Sequence, residues 1–280
     1  MTSADLVRIV KRASDRKKLG HTGTLDKFAE GLLILPFGAY TTFSSFFLTE
    51  KKQYLAKLSF GKFTDSGDRD GEVLNSMEEE SLREKLQDLE IRIQKDIEHL
   101  VERKEQVPPK VSALKVKGKR QAELFRKGIQ FTVKSRPIQV YNSEFLGFED
   151  LSCSFRLEVS AGTYIRKIAM DLSEEWGIPA HLAGLKRERI GDIDSRDANS
   201  LEDAEKGSLR VFSIKELLKI PVLQIGKNQE KFVRNGVFLN LENLPGGEFI
   251  LESDSGKICA LCSTKEKKLN YAYRYLRVFA

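Results

Sequence analysis

The residues best placed to do chemistry lie near the N-terminus, in Gly20-His21-Thr22-Gly23-Thr24-Leu25-Asp26. A carboxylate in a Gly/Thr-rich loop, flanked by Lys17, Lys18 and Lys27 and followed by an apolar run, can be held exposed as a nucleophile or base. An aspartate in a glycine-rich turn is more often a turn former, and the loop by itself leaves both readings open. Cys259-Ala260-Leu261-Cys262 has the spacing of half a zinc site. No second pair and no adjacent histidine accompanies it, since the histidines are His21, His99 and His181, so structural cysteines are the simpler reading. The acidic stretch Thr64-Asp65-Ser66-Gly67-Asp68-Arg69-Asp70-Gly71-Glu72 lacks the ligand spacing and distal glutamate of a calcium loop. No phosphate-binding loop or dinucleotide fingerprint occurs. Neither a metal nor a nucleotide cofactor is expected.

The 280 residues include 47 Lys+Arg and 41 Asp+Glu, a net charge of +6, with 40% hydrophobic and 31% charged residues. That composition is ordinary for a globular chain and excludes collagen-like or wholly disordered classes. No run approaches the ~20 apolar residues of a membrane span. The placement of charge says more than its sum. Residues 110–136 carry nine cations (Lys110, Lys115, Lys117, Lys119, Arg120, Arg126, Lys127, Lys134, Arg136) against one acid, Glu123. A solvated face is possible; the near absence of acids favours an arm that grips phosphates. Lys186, Arg187 and Arg189 form a second basic spot. Three cysteines suit a reducing, cytoplasmic setting. No secretory signal is visible, and Asp5 and Asp15 argue against a transit peptide.

Elements must hold these residues in place. Leu6, Ile9 and Val10 predict a helix over 4–13 with Ser3 as N-cap. The site loop follows, then a short buried strand over 31–37 and a helix over 41–48 with Phe43, Phe46 and Phe47 inward. Tyr54, Ala56, Leu58 and Phe60 alternate along a strand, which would ordinarily make Tyr54 a core residue. Leu82, Leu86, Leu89, Ile93, Ile97 and Leu100 predict an amphipathic helix or a broken pair over 79–105, ended by Pro108-Pro109, with His99 toward solvent. Two strands are expected around 140–148 and 153–160, then a helix through Ile168, Leu172 and Trp176; His181 reads as structural. From Val222 the turns Asn235-Gly236, Pro245-Gly246-Gly247 and Ser255-Gly256 predict a small all-β module.

Four blocks in order resemble the TruB family, the bacterial tRNA pseudouridine-55 synthases. They are Gly20 to Asp26 with Ala29 and Gly31; Lys51-Lys52-Gln53-Tyr54 with Thr64-Asp65 and Gly71-Glu72; Gln106-Val107-Pro108-Pro109 with Ser112 to Lys115 and Gly118 to Arg120; and Ala161-Gly162-Thr163-Tyr164-Ile165-Arg166 with Asp171-Leu172, Ala180 to Leu182 and Leu185-Lys186-Arg187. The resemblance covers most of residues 2–192. It implies an α+β fold: a catalytic domain over 1–220, with a mixed, mainly antiparallel sheet flanked by helices, and a β-rich PUA-like RNA-binding domain over 221–280. It implies that Asp26 is the nucleophile, Tyr54 stacks on the target uracil and Arg166 pairs with the carboxylate. His21 would help hold the loop from which the uridine is flipped, and Tyr164 and Leu185 would line its pocket. Lys115, Lys119 and Arg120 would contact RNA from a gripping insertion at about 110–137. The implied partner is the TΨC arm of tRNA, the expected state a monomer, and no cofactor is required because the isomerisation exchanges no electrons.

The sequence departs from the family pattern twice. The family's opening Lys-Pro-x-Gly-x-Thr-Ser is represented here only by Met1-Thr2-Ser3, and a start assigned too far downstream is the expected explanation. The family's Asp-Pro-x-Ala-x-Gly is Asp26-Lys27-Phe28-Ala29-Glu30-Gly31, which removes a φ constraint behind the nucleophile. The alternatives are a retargeted or guide-RNA-dependent uridine isomerase, and an RNA-binding or tRNA-folding protein with little or no isomerase activity.

Overall fold

The computed structural model describes residues 1–14, 18–109, 115–116, 119–120, 129, 132–265 and 271–279, with the side chains of 115–116 and 119–120 left out. The chain forms two units, one of residues 1–38 and 43–208, the other of 39–42 and 209–280. The first holds α1 (Ser3–Ala13), β1 (Glu30–Gly31), α2 (Ser44–Thr49), β2 (Lys52–Phe60), the hairpin β3 (Lys62–Thr64) and β4 (Val73–Ser76), and α3 (Glu79–Glu98). Then follow β5 (Glu105–Gln106), β6 (Lys115–Val116), β7 (Lys119–Arg120), β8 (Arg136–Pro137), β9 (Val140–Glu149), β10 (Ser152–Val159), α4 (Ile165–Trp176), β11 (Ala180–Ile190), β12 (Ile193–Asp194) and α5 (Leu201–Lys206).

The central sheet runs β1-β11-β2-β10-β9, with β12 also on β11. Only β1 pairs in parallel; β11, β2, β10 and β9 are antiparallel. This is the mixed, mainly antiparallel α+β architecture that the resemblance implies. The alternation in β2 explains the packing. Ala56, Leu58 and Phe60 meet Cys153, Phe155 and Leu157 of β10 and Leu182 of β11 in one core. Ile168, Ala169, Leu172 and Trp176 of α4 and Leu82, Leu86, Ile93 and Ile97 of α3 close over it. Each large side chain so buried contributes roughly 1.5–3 kcal/mol. Tyr54 lies on the same strand face and packs at the margin of that core.

Two local expectations are corrected. Thr2 rather than Ser3 caps α1: Thr2 Oγ1 accepts from the Asp5 N–H at 3.2 Å, and the Thr2 N–H donates to Asp5 Oδ2 at 2.8 Å. Ser3 is left to point elsewhere. The run 31–37 is not a strand beyond Gly31. It turns back on 18–22 through Gly20 N–H to Pro36 O (3.0 Å) and Thr22 N–H to Ile34 O (3.1 Å), and Pro36 has no N–H with which to extend a ladder.

The second unit contains α6 (Ile214–Leu217), β13 (Val222–Ile225), α7 (Lys227–Arg234), β14 (Glu248–Ser253), β15 (Ile258–Ser263) and β16 (Arg274–Val278), with the sheet ordered β13-β14-β15-β16. It is β-rich but not all-β, since α7 packs Val233 into a core with Phe249, Leu251, Cys262 and Tyr273. Residues 209–220 group with this unit, to which Lys215 is tied by an ion pair with Glu252; the boundary expected from sequence falls at 220/221. Cys153, Cys259 and Cys262 are all buried thiols. No helix among the described residues is long and apolar enough to cross a membrane.

Candidate active site

Asp26 sits in a turn fixed from several directions. The 18–22 and 34–38 segments hold its base together, and Thr22 is fully buried there. The Leu25 N–H donates to Ser3 Oγ at 3.0 Å, so the residue released from capping α1 anchors the backbone beside Asp26. The Ala29 N–H closes the turn on Asp26 O at 3.0 Å. The carboxylate itself remains 41% exposed.

Arg166 is its partner. Arg166 Nε donates to Asp26 Oδ2 at 2.9 Å and Nη2 to Oδ1 at 3.1 Å, a two-pronged pair that fixes the carboxylate plane. The Arg166 side chain is only 6% exposed and lies in the first turn of α4. Its remaining reach is taken by Ser66 O, which accepts from Nη1 at 2.9 Å, and by Asp68, whose Oδ2 is 3.6 Å from Nε. Asp68 is buried and held by the Ser66 hydroxyl (2.8 Å) and the Asp70 N–H (3.0 Å). The loop stays this close because Gly67 (φ +74°) has no side chain; a Cβ there would come within 3.2 Å of Arg166 O and 2.7 Å of Met170 Cγ. The acidic stretch with a superficial likeness to a calcium loop thus supports Arg166 instead. Among the described residues no group of three or more His, Cys, Asp or Glu is arranged for a metal ion.

Tyr54 enters from β2. In the sheet register it lies opposite Arg187 of β11 on one side and Leu157 of β10 on the other. Burial pushes its phenol pKa up; the Arg187 guanidinium works against that shift and the Asp26 charge adds to it. Both charges therefore bear on the one hydroxyl. Arg187 is itself buried, and donates from Nε to Leu32 O at 2.7 Å and from Nη2 to Gly23 O at 3.3 Å.

The other expected site residues divide. Tyr164 is half-buried at the head of α4. Its peptide is gripped by Gln106, which accepts the Tyr164 N–H at 2.9 Å and donates to Tyr164 O at 3.0 Å. Leu185 is buried opposite Ala56, within the core cluster. His21 is exposed on the loop. The side chains of Lys115, Lys119 and Arg120 lie outside the described residues, as do Lys110, Lys117, Arg126 and Lys127; the backbones of β6 and β7 pair Lys115 with Arg120. His99 is exposed, and His181 Nδ1 is 2.9 Å from Lys62 O.

Reasoning from sequence missed Asp68 and Arg187 as site residues. A buried acid in a glycine-punctuated loop and a cation in a strand of alternating burial were the available signals. Neither indicates its partner, which lies about a hundred or more positions away in the chain.

An exposed carboxylate locked along one edge can attack or deprotonate an unpaired planar base or its sugar. Comparisons with known proteins agree on the class. The family model described as TruB family pseudouridylate synthase (N terminal domain) matches residues 11–165. The tRNA pseudouridine synthase B of Leptospira interrogans is 40% identical over 280 residues, covering 100% of this chain and 91% of that protein. That of Borreliella burgdorferi is 31% identical over 281 residues, covering 99% and 95%, and that of Clostridium tetani 35% over 240 residues, covering 85% and 81%. Among solved structures, an archaeal box H/ACA sRNP Nop10-Cbf5 complex aligns with a TM-score of 0.61 at 20% identity, covering 100% of this chain and 82% of that one. A Cbf5-Nop10-Gar1 complex aligns at 0.64 with the same identity and coverage. At that identity the structures show a shared fold. The chain belongs to the TruB family of pseudouridylate synthases. It is an isomerase that makes pseudouridine.

Proposed function

We propose that this protein converts uridine 55 in the TΨC loop of tRNA to pseudouridine, acting as a monomer in the cytoplasm. Its relatives carry the name tRNA pseudouridine synthase B, and the observation that carries the reading is the two-pronged Asp26–Arg166 pair. The reaction breaks the bond from ribose C1′ to uracil N1, turns the ring and joins C1′ to C5. The C5 hydrogen leaves as a proton and N1 gains one, so no electron is exchanged. Asp26 supplies the carboxylate on which this exchange depends, and Arg166 sets its orientation. The base must leave its stack, at a cost of a few kcal/mol. Stacking on Tyr54 returns about 1–3 kcal/mol of that. His21, Tyr164 and Leu185 complete the uridine pocket.

The basic segment at about 110–137, with Lys115, Lys119 and Arg120, grips the RNA backbone, and the second unit acts as a PUA-like RNA-binding domain. An RNA-folding role with little turnover is the weaker reading, because the carboxylate pair is intact and the relatives are named as synthases. Mapping tRNA from cells lacking this modification after incubation with the protein tests the site of action. A new pseudouridine at position 55 alone is expected; modification at another uridine, or none, contradicts the assignment.

A further inference from the structure

We propose that Arg187 is a positioning residue for the isomerisation, a buried clamp that fixes the Asp26 loop from both ends and ties it to the strand position opposite Tyr54. The inference rests on the reading of Asp26 and Tyr54 given above.

Arg187 is 2% exposed. Its guanidinium donates to Gly23 O, three residues before Asp26, and to Leu32 O, six residues after it. Its own carbonyl accepts the Leu32 N–H at 2.8 Å. One residue thus ties both feet of the catalytic loop to β11. The same strand position lies between Gly31 of β1 and Tyr54 of β2 in the register, so loop and ring are referenced to a single backbone point. The close fit is visible at Gly31 (φ +101°), where a Cβ would stand 2.3 Å from Arg187 O.

The energetics favour a functional reason for a charge here. Among the described residues no carboxylate forms an ion pair with Arg187, and its Nε and Nη2 donate to carbonyl oxygens. Burying a cation on those terms is costly, and a well-packed apolar side chain would serve stability as well or better. The fork's Nε and Nη2 reach carbonyls on both sides of Asp26 at once, from two nitrogens fixed in one plane. Arg166 therefore gives the Asp26 carboxylate its direction, while Arg187 gives the loop its place.

The full-length protein with Arg187→Lys and Arg187→Met tests this, with Asp26→Asn as reference. Three quantities are read: tRNA affinity by filter binding, single-turnover release of tritium from tRNA labelled at uracil C5, and melting temperature. Affinity is expected within about twofold of wild type, while the rate falls roughly 10- to 100-fold in Arg187→Lys and further in Arg187→Met, since a misplacement near 1 Å costs about that much. The order Arg, Lys, Met in rate, seen in variants that remain folded at the assay temperature, supports positioning. Rates within threefold of wild type in both variants, with Asp26→Asn inactive, overturn the clamp and leave the Asp26 reading standing. Rate losses matched by equal losses of folded protein or of tRNA affinity also overturn it. Turnover by Asp26→Asn instead overturns the reading on which the clamp rests. Should Arg187→Met fail to fold, the comparison of Arg187→Lys with wild type decides.

Discussion

At the scale of the residue, Asp26 presents one edge to solvent and gives the other to Arg166, and the two nitrogens used by that pair are not interchangeable with an ammonium. Arg166→Lys is expected to keep tRNA affinity within a few-fold and to lower the single-turnover rate roughly 100-fold, because one point donor cannot hold the carboxylate plane. A rate near wild type would show that the second prong is idle. The sequence displays Asp26, Tyr54 and Arg166 as residue types, but only their resemblance to a known set joins them: Asp26 and Arg166 are 140 positions apart. Asp68 and Arg187 stayed hidden for the same physical reason. Their roles come from tertiary approach, and nothing local in an acidic loop or a charged strand encodes it.

At the scale of the element, the sheet positions the site through close backbone contact. Gly31→Ala would set a Cβ 2.3 Å from Arg187 O in a backbone conformation with φ +101°, so neither strain nor clash can relax cheaply. A loss of roughly 3 kcal/mol or more is expected, lowering the melting temperature by about 6–12 °C; an unchanged melting curve would show that β1 does not need its register. Lys52, two residues before Tyr54, holds the end of α2 by donating to Phe47 O at 2.9 Å, Leu48 O at 2.8 Å and Glu50 O at 2.6 Å. Burial, and then the Arg187 charge, bring its ammonium down to about 8. Its folded pKa is below the unfolded value of 10.5, so the unfolded chain binds more protons between those limits. The Lys52 contribution to stability is therefore least favourable below pH 8 and improves as pH rises toward 10. Thermal melts of wild type and Lys52→Met across pH 7–10 should move apart in favour of wild type; curves that stay parallel would contradict the shift.

Much of this element layer was legible. Alternation in β2 and the three-to-four spacing in α3 each follow from one buried face. The run 31–37 misled because apolar character signals burial, not pairing, and its hydrogen bonds go to a turn. The helix α7 was obscured by turn residues on both sides, although the Gly226 N–H to Gln229 Oε1 contact at 2.9 Å marks its start.

At the scale of the whole molecule, a net charge of +6 is small, so RNA affinity must come from where the cations are placed. The sequence shows that placement directly, in nine cations and one acid over 110–136, because composition needs no tertiary geometry to be read. Neutralising Lys115, Lys117, Lys119 and Arg120 together is expected to weaken tRNA binding and to reduce the slope of log K against log salt by about one for each phosphate no longer neutralised. An unchanged slope would place the grip elsewhere.

The central claim is that Asp26 drives a uridine isomerisation, and release of tritium from tRNA labelled at uracil C5 measures it most directly, since C5 must lose its hydrogen to become the glycosidic carbon. The account predicts one equivalent released per tRNA by the wild type, and a rate at least ~1000-fold lower with Asp26→Asn, which binds the same tRNA. Release by Asp26→Asn at a rate near wild type, or none by a wild type that binds tRNA tightly, would contradict it.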